Sequence, residues 1–400
     1  MKILHTSDWH LGKSLEGYSR LDEQQLFLDD FIKTVHENDI QIVIIAGDIY
    51  DTSNPPARAE NMFYDALKKI SNNGKVMTII IAGNHDNPER LSAAGPLARE
   101  HGIVIFGTPK TVIQPGIYGK NKIVSSSEGM IEVKIGEETA IVAAVAYPSE
   151  KRLNEALYSD MDDETKRHES YNLRLKSLFD KLSQNYRDDT INILISHIFT
   201  AGSEEAGSER SIQLGGSLSF DASLFPQKAQ YIALGHIHKP QTVQGTDKRA
   251  RYSGAPLHYS KKEVNYKNKC YIADIKPSEP ASITEIPVKI YKPIEVWKFD
   301  DIESAIDYCT ENKDKLCWTY LEIKTDRYIR EDEIKKMREN KADIIEILPV
   351  IENDKQVIDT ERMQDKKTDE LFKDFYFKQR GTLPQEDIMK LLMEILAEEE

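Results

Sequence analysis

The side chains of this chain that could do chemistry stand at the ends of apolar runs. Ile42-Val43-Ile44-Ile45-Ala46 runs into Gly47-Asp48. Ile3 to Ser7 runs into Asp8-Trp9-His10, and Val76 to Ala82 into Gly83-Asn84-His85-Asp86. Ile191 to Ser196 ends at His197, and Tyr231 to Leu234 at Gly235-His236-Ile237-His238. The chain has 10 histidines, and half of them lie at these tips. Imidazole mixed with carboxylate suits borderline divalent metals such as Mn, Fe and Zn better than an all-oxygen cage for Ca. Asp8, His10, Asp48, Asn84, His85, His197, His236 and His238 are too many for one four-coordinate ion and suit two. Two ions about 3.5–4 Å apart clamp the attacking and leaving oxygens of an in-line displacement at phosphorus. Such a pair needs one bridging carboxylate, for which Asp48, on the most apolar run, is the choice. Asn84 supplies a hard neutral donor. Taken singly, each signal is weak, since a loop histidine or a Gly-Asp turn is common. Their joint occurrence points to a functional site.

These tips need elements to carry them. A short continuous apolar run reads as a strand buried on both faces. Open α/β sheets bind ligands outside the carboxyl ends of such strands. Between the runs, Leu21 to His36 has Phe27, Leu28, Phe31, Ile32 and Val35 at helical spacing. Ala57 to Ser71 and Pro88 to Arg99 also suit helices, so strand and helix alternate as in an α/β layer. Ile103 to Tyr147 reads as a second, partly antiparallel sheet of short strands, and Glu164 to Asn185 as a polar helix. Residues 202–219 form a long loop between two histidine tips, a length that is usually functional or disordered. Tyr252 to Gly254 and Cys270 to Ile275 supply further strands.

The sheet pattern stops around Pro287 to Pro293. Trp318 to Lys324, Glu331 to Glu339 and Ile344 to Leu348 then read as a small β-α-β unit. This predicts one domain over residues 1–280 and a second over 281–350. Residues 351–369 are a charged linker. Residues 370–400 regain apolar periodicity through Leu371, Phe372, Phe375, Tyr376, Ile388, Leu391, Leu392 and Ile395.

A length of 400 residues fits more than one unit. The net charge of −14 argues against a uniformly basic nucleic-acid binder but allows a local one. Residues 301–400 hold 17 basic and 27 acidic side chains, or −10, which leaves −4 for residues 1–300. No apolar run approaches the roughly 20 residues of a membrane span. The start lacks the pattern of a secretory signal. Three cysteines, Cys270, Cys309 and Cys317, show no ligand-like spacing and fit a reducing cytosol.

In order, Asp8-Trp9-His10, Gly47-Asp48, Gly83-Asn84-His85-Asp86, His197 and Gly235-His236-Ile237-His238 resemble the signature of the calcineurin-like metallophosphoesterases. Thr6-Ser7-Asp8-Trp9-His10-Leu11-Gly12, Gly47-Asp48-Ile49-Tyr50-Asp51 and Ser208-Glu209-Arg210…Gly215-Gly216 narrow this to a resemblance to the double-strand-break repair nucleases. The likeness spans residues 1–275, and the β-α-β unit resembles that family's capping domain. It implies a two-sheet α/β/β/α sandwich with a smaller cap and C-terminal helices. It implies one metal, usually Mn with Mg as the alternative, at Asp8, His10, Asp48 and His238, and another at Asp48, Asn84, His197 and His236. His85 would protonate the leaving 3′ oxygen or stabilise the transition state. Archaeal relatives carry a second histidine shortly after the bridging aspartate. Asp51 and Thr52 stand there here, so no second catalytic histidine is assigned.

The resemblance further implies DNA as substrate, cut by exonuclease and endonuclease action, and a homodimer. It also implies a two-plus-two assembly with an ABC-type ATPase, whose coiled coil would receive the C-terminal helices. Lys13, Arg20, Arg58 and Arg90 are candidates for phosphate contact. The alternatives are a stand-alone phosphatase or cyclic-nucleotide phosphodiesterase, and a non-catalytic DNA-binding scaffold. The hundred residues beyond the core favour the nuclease.

Overall fold

The computed structural model describes residues 1–153, 164–209 and 219–351, with the single positions 372 and 389. The C-terminal helices expected over 370–400, most of the linker and residues 210–218 of the long loop lie outside the described residues.

The chain opens with β1 (Lys2–Thr6) and a small hairpin of β2 (Ser14–Leu15) and β3 (Tyr18–Ser19), then α1 (Leu21–Glu37). Next come β4 (Ile42–Ile45), α2 (Ala57–Ile70) and β5 (Met77–Ile81). The helix expected from Pro88 to Arg99 is two short ones, α3 (Pro88–Ser92) and α4 (Gly95–Glu100). Gly95-Pro96 explains the break, because proline cannot donate within a helix but suits a first turn. β6 (Ile103–Phe106) pairs parallel to β5. It therefore closes the first sheet, where the sequence pattern had suggested the start of the second. A four-residue apolar run carries no information about its partner.

The second sheet begins with β7 (Gly116–Tyr118), β8 (Asn121–Ser127), β9 (Met130–Ile135) and β10 (Glu138–Val145). After α5 (Glu150–Leu153) and α6 (Glu164–Ser183) it adds β11 (Ile191–His197), β12 (Tyr231–Gly235), β13 (Gln241–Thr242) and β14 (Ala250–Tyr252). β15 (Lys269–Asp274) and β16 (Ser282–Pro287) return to the first sheet, whose order is β16-β15-β1-β4-β5-β6. A strand paired along its length belongs with its partner, so the first unit runs through Pro287, past residue 281. The second sheet is ordered β13-β14-β12-β11-β10-β9-β8-β7.

Strand alternation makes the layers. On β10, Ala140, Val142 and Ala144 join the core shared with the first sheet, and Ile141, Ala143 and Val145 join a core with Leu175, Phe179 and Leu182 of α6. Phe27, Phe31 and Val35 of α1 and Phe63 and Leu67 of α2 belong to the first core. The result is the expected α/β/β/α sandwich.

The last unit is larger than a β-α-β. It runs β17 (Ile294–Phe299), α7 (Ile302–Glu311), β18 (Trp318–Thr325), α8 (Glu331–Asn340) and β19 (Ile344–Ile351), a three-stranded parallel sheet. Asp301 caps α7 by accepting from the Ser304 N–H at 2.7 Å. The unit docks on the β2–β3 hairpin: Leu15, Ile294, Trp318, Tyr320 and Ile345 form one buried cluster. Trp318 also donates its indole N–H to Glu23 at 2.8 Å. The second unit thus leans on the loop that leaves Asp8 and His10.

Candidate metal centre

β1, β4, β5, β11 and β12 bring their carboxyl ends together where the two sheets meet. Beyond its strand, the β1 loop stays paired to the β4 loop: the Asp8 N–H bonds Gly47 O and the His10 N–H bonds Asp48 O, both at 3.0 Å. Trp9, fully buried, packs edge-on against Phe27, Phe31 and Phe63. It pins the loop to α1 and α2 and leaves Asp8 and His10 to face the other strand ends.

All eight sequence-predicted residues meet there. His10 Nε2 lies 3.0 Å from His238 Nε2 and 3.7 Å from Asp48 Oδ2. Asp48 Oδ2 is 3.3 Å from His197 Nε2. Asn84 Oδ1 sits 2.9 Å from His197 Nε2 and 3.1 Å from His236 Nδ1. Asp8 Oδ1 accepts the His236 N–H at 3.0 Å. His85 Nε2 is 4.0 Å from Asp48 Oδ2, with its ring edge-on to His10. Asp48 therefore stands between a group with Asp8, His10 and His238 and a group with His197 and His236. In each group, the first without Asp48, ligand atoms lie within 4.8 Å of one another.

The donor set fits divalent cations. His197 Nδ1 donates to Ala46 O at 2.8 Å, which turns Nε2, the atom a cation would take, toward Asp48 and Asn84. Burial pushes His10 and His236 down to about 3, so both present neutral imidazoles. Burial, reinforced by Asp48, pushes Asp8 up to about 6, against the pull of His197 and His238. Burial also opposes ionisation of Asp48, but His197, His10 and His85 together hold it well below the usual range. Burial would lower His197, yet Asp48 lifts it to about 9. The cation-free chain thus keeps a proton on His197 that cation binding must displace.

Close backbone approach shapes the pocket. A Cβ on Gly83 would fall 2.1 Å from Asp48 Oδ1, and one on Gly47 2.3 Å from His197 Nδ1. Asp8, His10 and Asp48 adopt positive φ of 53°, 44° and 50°, and His236 reaches 102°. Such conformations cluster at functional sites.

Sequence reasoning missed the residues that hold these in place. Asp86 accepts the N–H groups of Gly83, Ile49 and Tyr50 at 2.8, 3.2 and 3.0 Å. Its position three residues after Gly83 was the available signal, because aspartates bond nearby backbone. Arg152 donates to Gly83 O at 2.6 Å and to Asp86 O at 2.7 Å, and nothing in the sequence marks it. Of the phosphate-contact candidates, Arg20 is excluded: it is buried and paired with Glu23 at 2.5 Å. Arg58 pairs with Asp22, Arg90 with Glu60 at 2.8 Å, and Lys13 with Asp51 at 3.4 Å.

A two-sheet sandwich with Asp, His and Asn tips converging at one edge defines a class. The model described as calcineurin-like phosphoesterase matches residues 1–240, and the chain belongs to that family of phosphoester hydrolases. Within it, the chain is 41% identical, over 99% of its own length and 97% of the relative's, to the D subunit of the nuclease SbcCD from Bacillus subtilis. Proteins of the same name from Staphylococcus epidermidis and Rhodobacter capsulatus are 26% and 30% identical. They match 88% and 69% of this chain, and 86% and 66% of their own lengths. A second model, described as type 5 capsule protein repressor C-terminal domain, matches residues 290–380. Among the described residues no helix is long and apolar enough to cross a membrane.

Proposed function

We propose that this chain is the Mn-dependent DNA nuclease subunit of an SbcCD-type complex. It would cut duplex ends as an exonuclease and single strands or hairpins as an endonuclease, in cytoplasmic DNA repair, recombination and replication. The observation that carries this is the convergence of six ligand-type side chains around Asp48, with His85 beside them, in a chain alike over nearly its whole length to a named nuclease subunit.

Asp8, His10, Asp48 and His238 would hold one Mn2+, and Asp48, Asn84, His197 and His236 the other. Bound there, the two ions supply Lewis-acid neutralisation of the phosphoryl oxygens and a nucleophile at neutral pH. The chain's own residues do the rest. Asp48 reaches both ligand groups and fixes their spacing. His85 Nδ1 donates to Asp51 O at 2.6 Å, so Nε2 faces the pocket, where it would give a proton to the leaving 3′ oxygen. Burial keeps bulk water from the ligands and strengthens every charge interaction at the reacting phosphate.

The unit from Ile294 to Ile351 would cap the site and meet DNA, since it docks beside the Asp8–His10 loop. Residues 370–400 would dock on the coiled coil of an SbcC-type ABC ATPase, within a dimer of nuclease subunits and a two-plus-two assembly. The test is digestion of duplex DNA and of p-nitrophenyl phosphodiesters by the purified chain with Mn2+. Mn2+-dependent shortening of duplex DNA supports the reading. Turnover of small phosphodiesters without DNA cleavage would replace it with a stand-alone phosphodiesterase.

A further inference from the structure

Of the histidines in the pocket, His238 is backed by a hydrogen-bonded carboxylate relay, and its parts come from two distant segments. Its Nδ1 lies 2.7 Å from Ser208 Oγ, and that hydroxyl in turn bonds Glu263. A serine hydroxyl has one hydrogen to give. With that hydrogen directed at the carboxylate, Ser208 accepts from His238 Nδ1–H, and the Nε2 lone pair is turned to the pocket.

Glu263 is an unusual residue to find here. It is buried, and its only ion-pair partner among the described residues is His238, at 3.6 Å. A buried carboxylate is costly unless hydrogen-bonded or paired. Its remaining acceptor oxygen takes the Tyr259 N–H at 2.5 Å. No lysine or arginine bridges to it among the described residues, so the charge is directed through Ser208 onto one imidazole.

The neighbouring residue ties the same segment down. Glu209 Oε1 accepts the His238 N–H at 3.0 Å and the Ala206 N–H at 2.7 Å, and Oε2 accepts the Gly207 N–H at 2.6 Å. The segment Ala206 to Glu209 therefore holds both the ring and the backbone of His238. His197, in contrast, leans on the neutral carbonyl of Ala46.

Resting on the two-metal reading above, we propose that Ser208 and Glu263 are positioning residues that orient His238 and raise its strength as a ligand, so that the ion it holds depends on the loop carrying Ser208. Outer hydrogen-bond partners of metal-ligating histidines typically contribute 10–100-fold to metal affinity.

The test is Mn2+ titration of the full chain by calorimetry, with bound equivalents counted by electron paramagnetic resonance. The variants are Ser208→Ala, Ser208→Thr, Glu263→Gln and His238→Ala. The expected result is a loss of about 10–100-fold in affinity for one equivalent in Ser208→Ala and Glu263→Gln. The second equivalent stays unchanged, and Ser208→Thr, which keeps a hydroxyl, binds as the parent does. Ser208→Ala should still fold cooperatively in EDTA, melting only a few degrees lower for the bond lost to buried Glu263, and it decides the matter if Glu263→Gln fails to fold. Parent-like binding by Ser208→Ala, while His238→Ala loses an equivalent, overturns the proposal. So does an equal loss of both equivalents, which general destabilisation rather than a weakened His238 would produce. Parent-like binding by His238→Ala overturns the two-metal reading instead.

Discussion

The His85 imidazole gives its Nδ1 hydrogen to the backbone carbonyl of Asp51 at 2.6 Å, and this one bond decides which ring nitrogen faces Asp48. Asparagine at position 85 can keep a bond to that carbonyl but cannot transfer a proton as imidazole does. His85→Asn should retain both Mn2+ equivalents and lose about 10²–10⁴ in DNA cleavage rate. Single-turnover digestion and metal counting on the same preparation check it. Near-parental cleavage would remove His85 from the chemistry.

Gly83 leaves no room for a side chain. A methyl there would meet both Asp48 Oδ1 and Asp48 N within 2.3 Å. The β4 and β5 tips must part for Gly83→Ala to fold. Overpacking of this kind costs about 1–3 kcal/mol, so melting should fall by several degrees, with weaker Mn2+ binding. Calorimetric scans with and without Mn2+ read both effects. An unchanged melt with full binding would contradict the close approach.

His5 gives the fold a pH dependence apart from the metal ligands. It is fully buried on β1, with Nδ1 2.9 Å from the Tyr231 hydroxyl, and burial lowers it from 6.5 to about 3. The unfolded chain binds a proton below pH 6.5 that the folded chain refuses until about pH 3. Stability from this group is therefore complete above pH 6.5 and drains away as pH falls toward 3. By pH 5 the loss is about 2 kcal/mol. Urea midpoints at pH 7.5 and 5 should differ less in His5→Asn than in the parent chain. Equal differences would show that His5 is not held neutral.

The C-terminal segment carries a separate expectation. Removing residues from 360 onward should abolish co-purification of an SbcC-type ATPase and leave Mn2+ binding intact. Recovery of the ATPase at full yield would mean that docking lies elsewhere.

Much of the candidate site is legible because its ligand-type residues come as tips on short apolar runs, and such runs announce buried strands. His10, His85 and His238 needed no knowledge of pairing to be noticed. What was hidden is set by partners far along the chain. Arg20 looks like a free loop cation, yet Glu23 and the His258 carbonyl bury it. β6 and β15 have sequences that fit either sheet. β17 and α7 lie outside the expected β-α-β, although Asp301 and Ser304 carry the spacing of a helix cap. Ser208 and Glu263 are ordinary polar residues until the fold brings them to His238.

Four side chains in the pocket hang from backbone that ordinary L-residues avoid, at Asp8, His10, Asp48 and His236. Each such position typically costs about 1–3 kcal/mol. Glycine would relax the main chain at any of them and remove the donor with it. The protein thus trades thermal robustness for reactivity at these points, and selection for a hardier variant alone would tend to erase the catalyst.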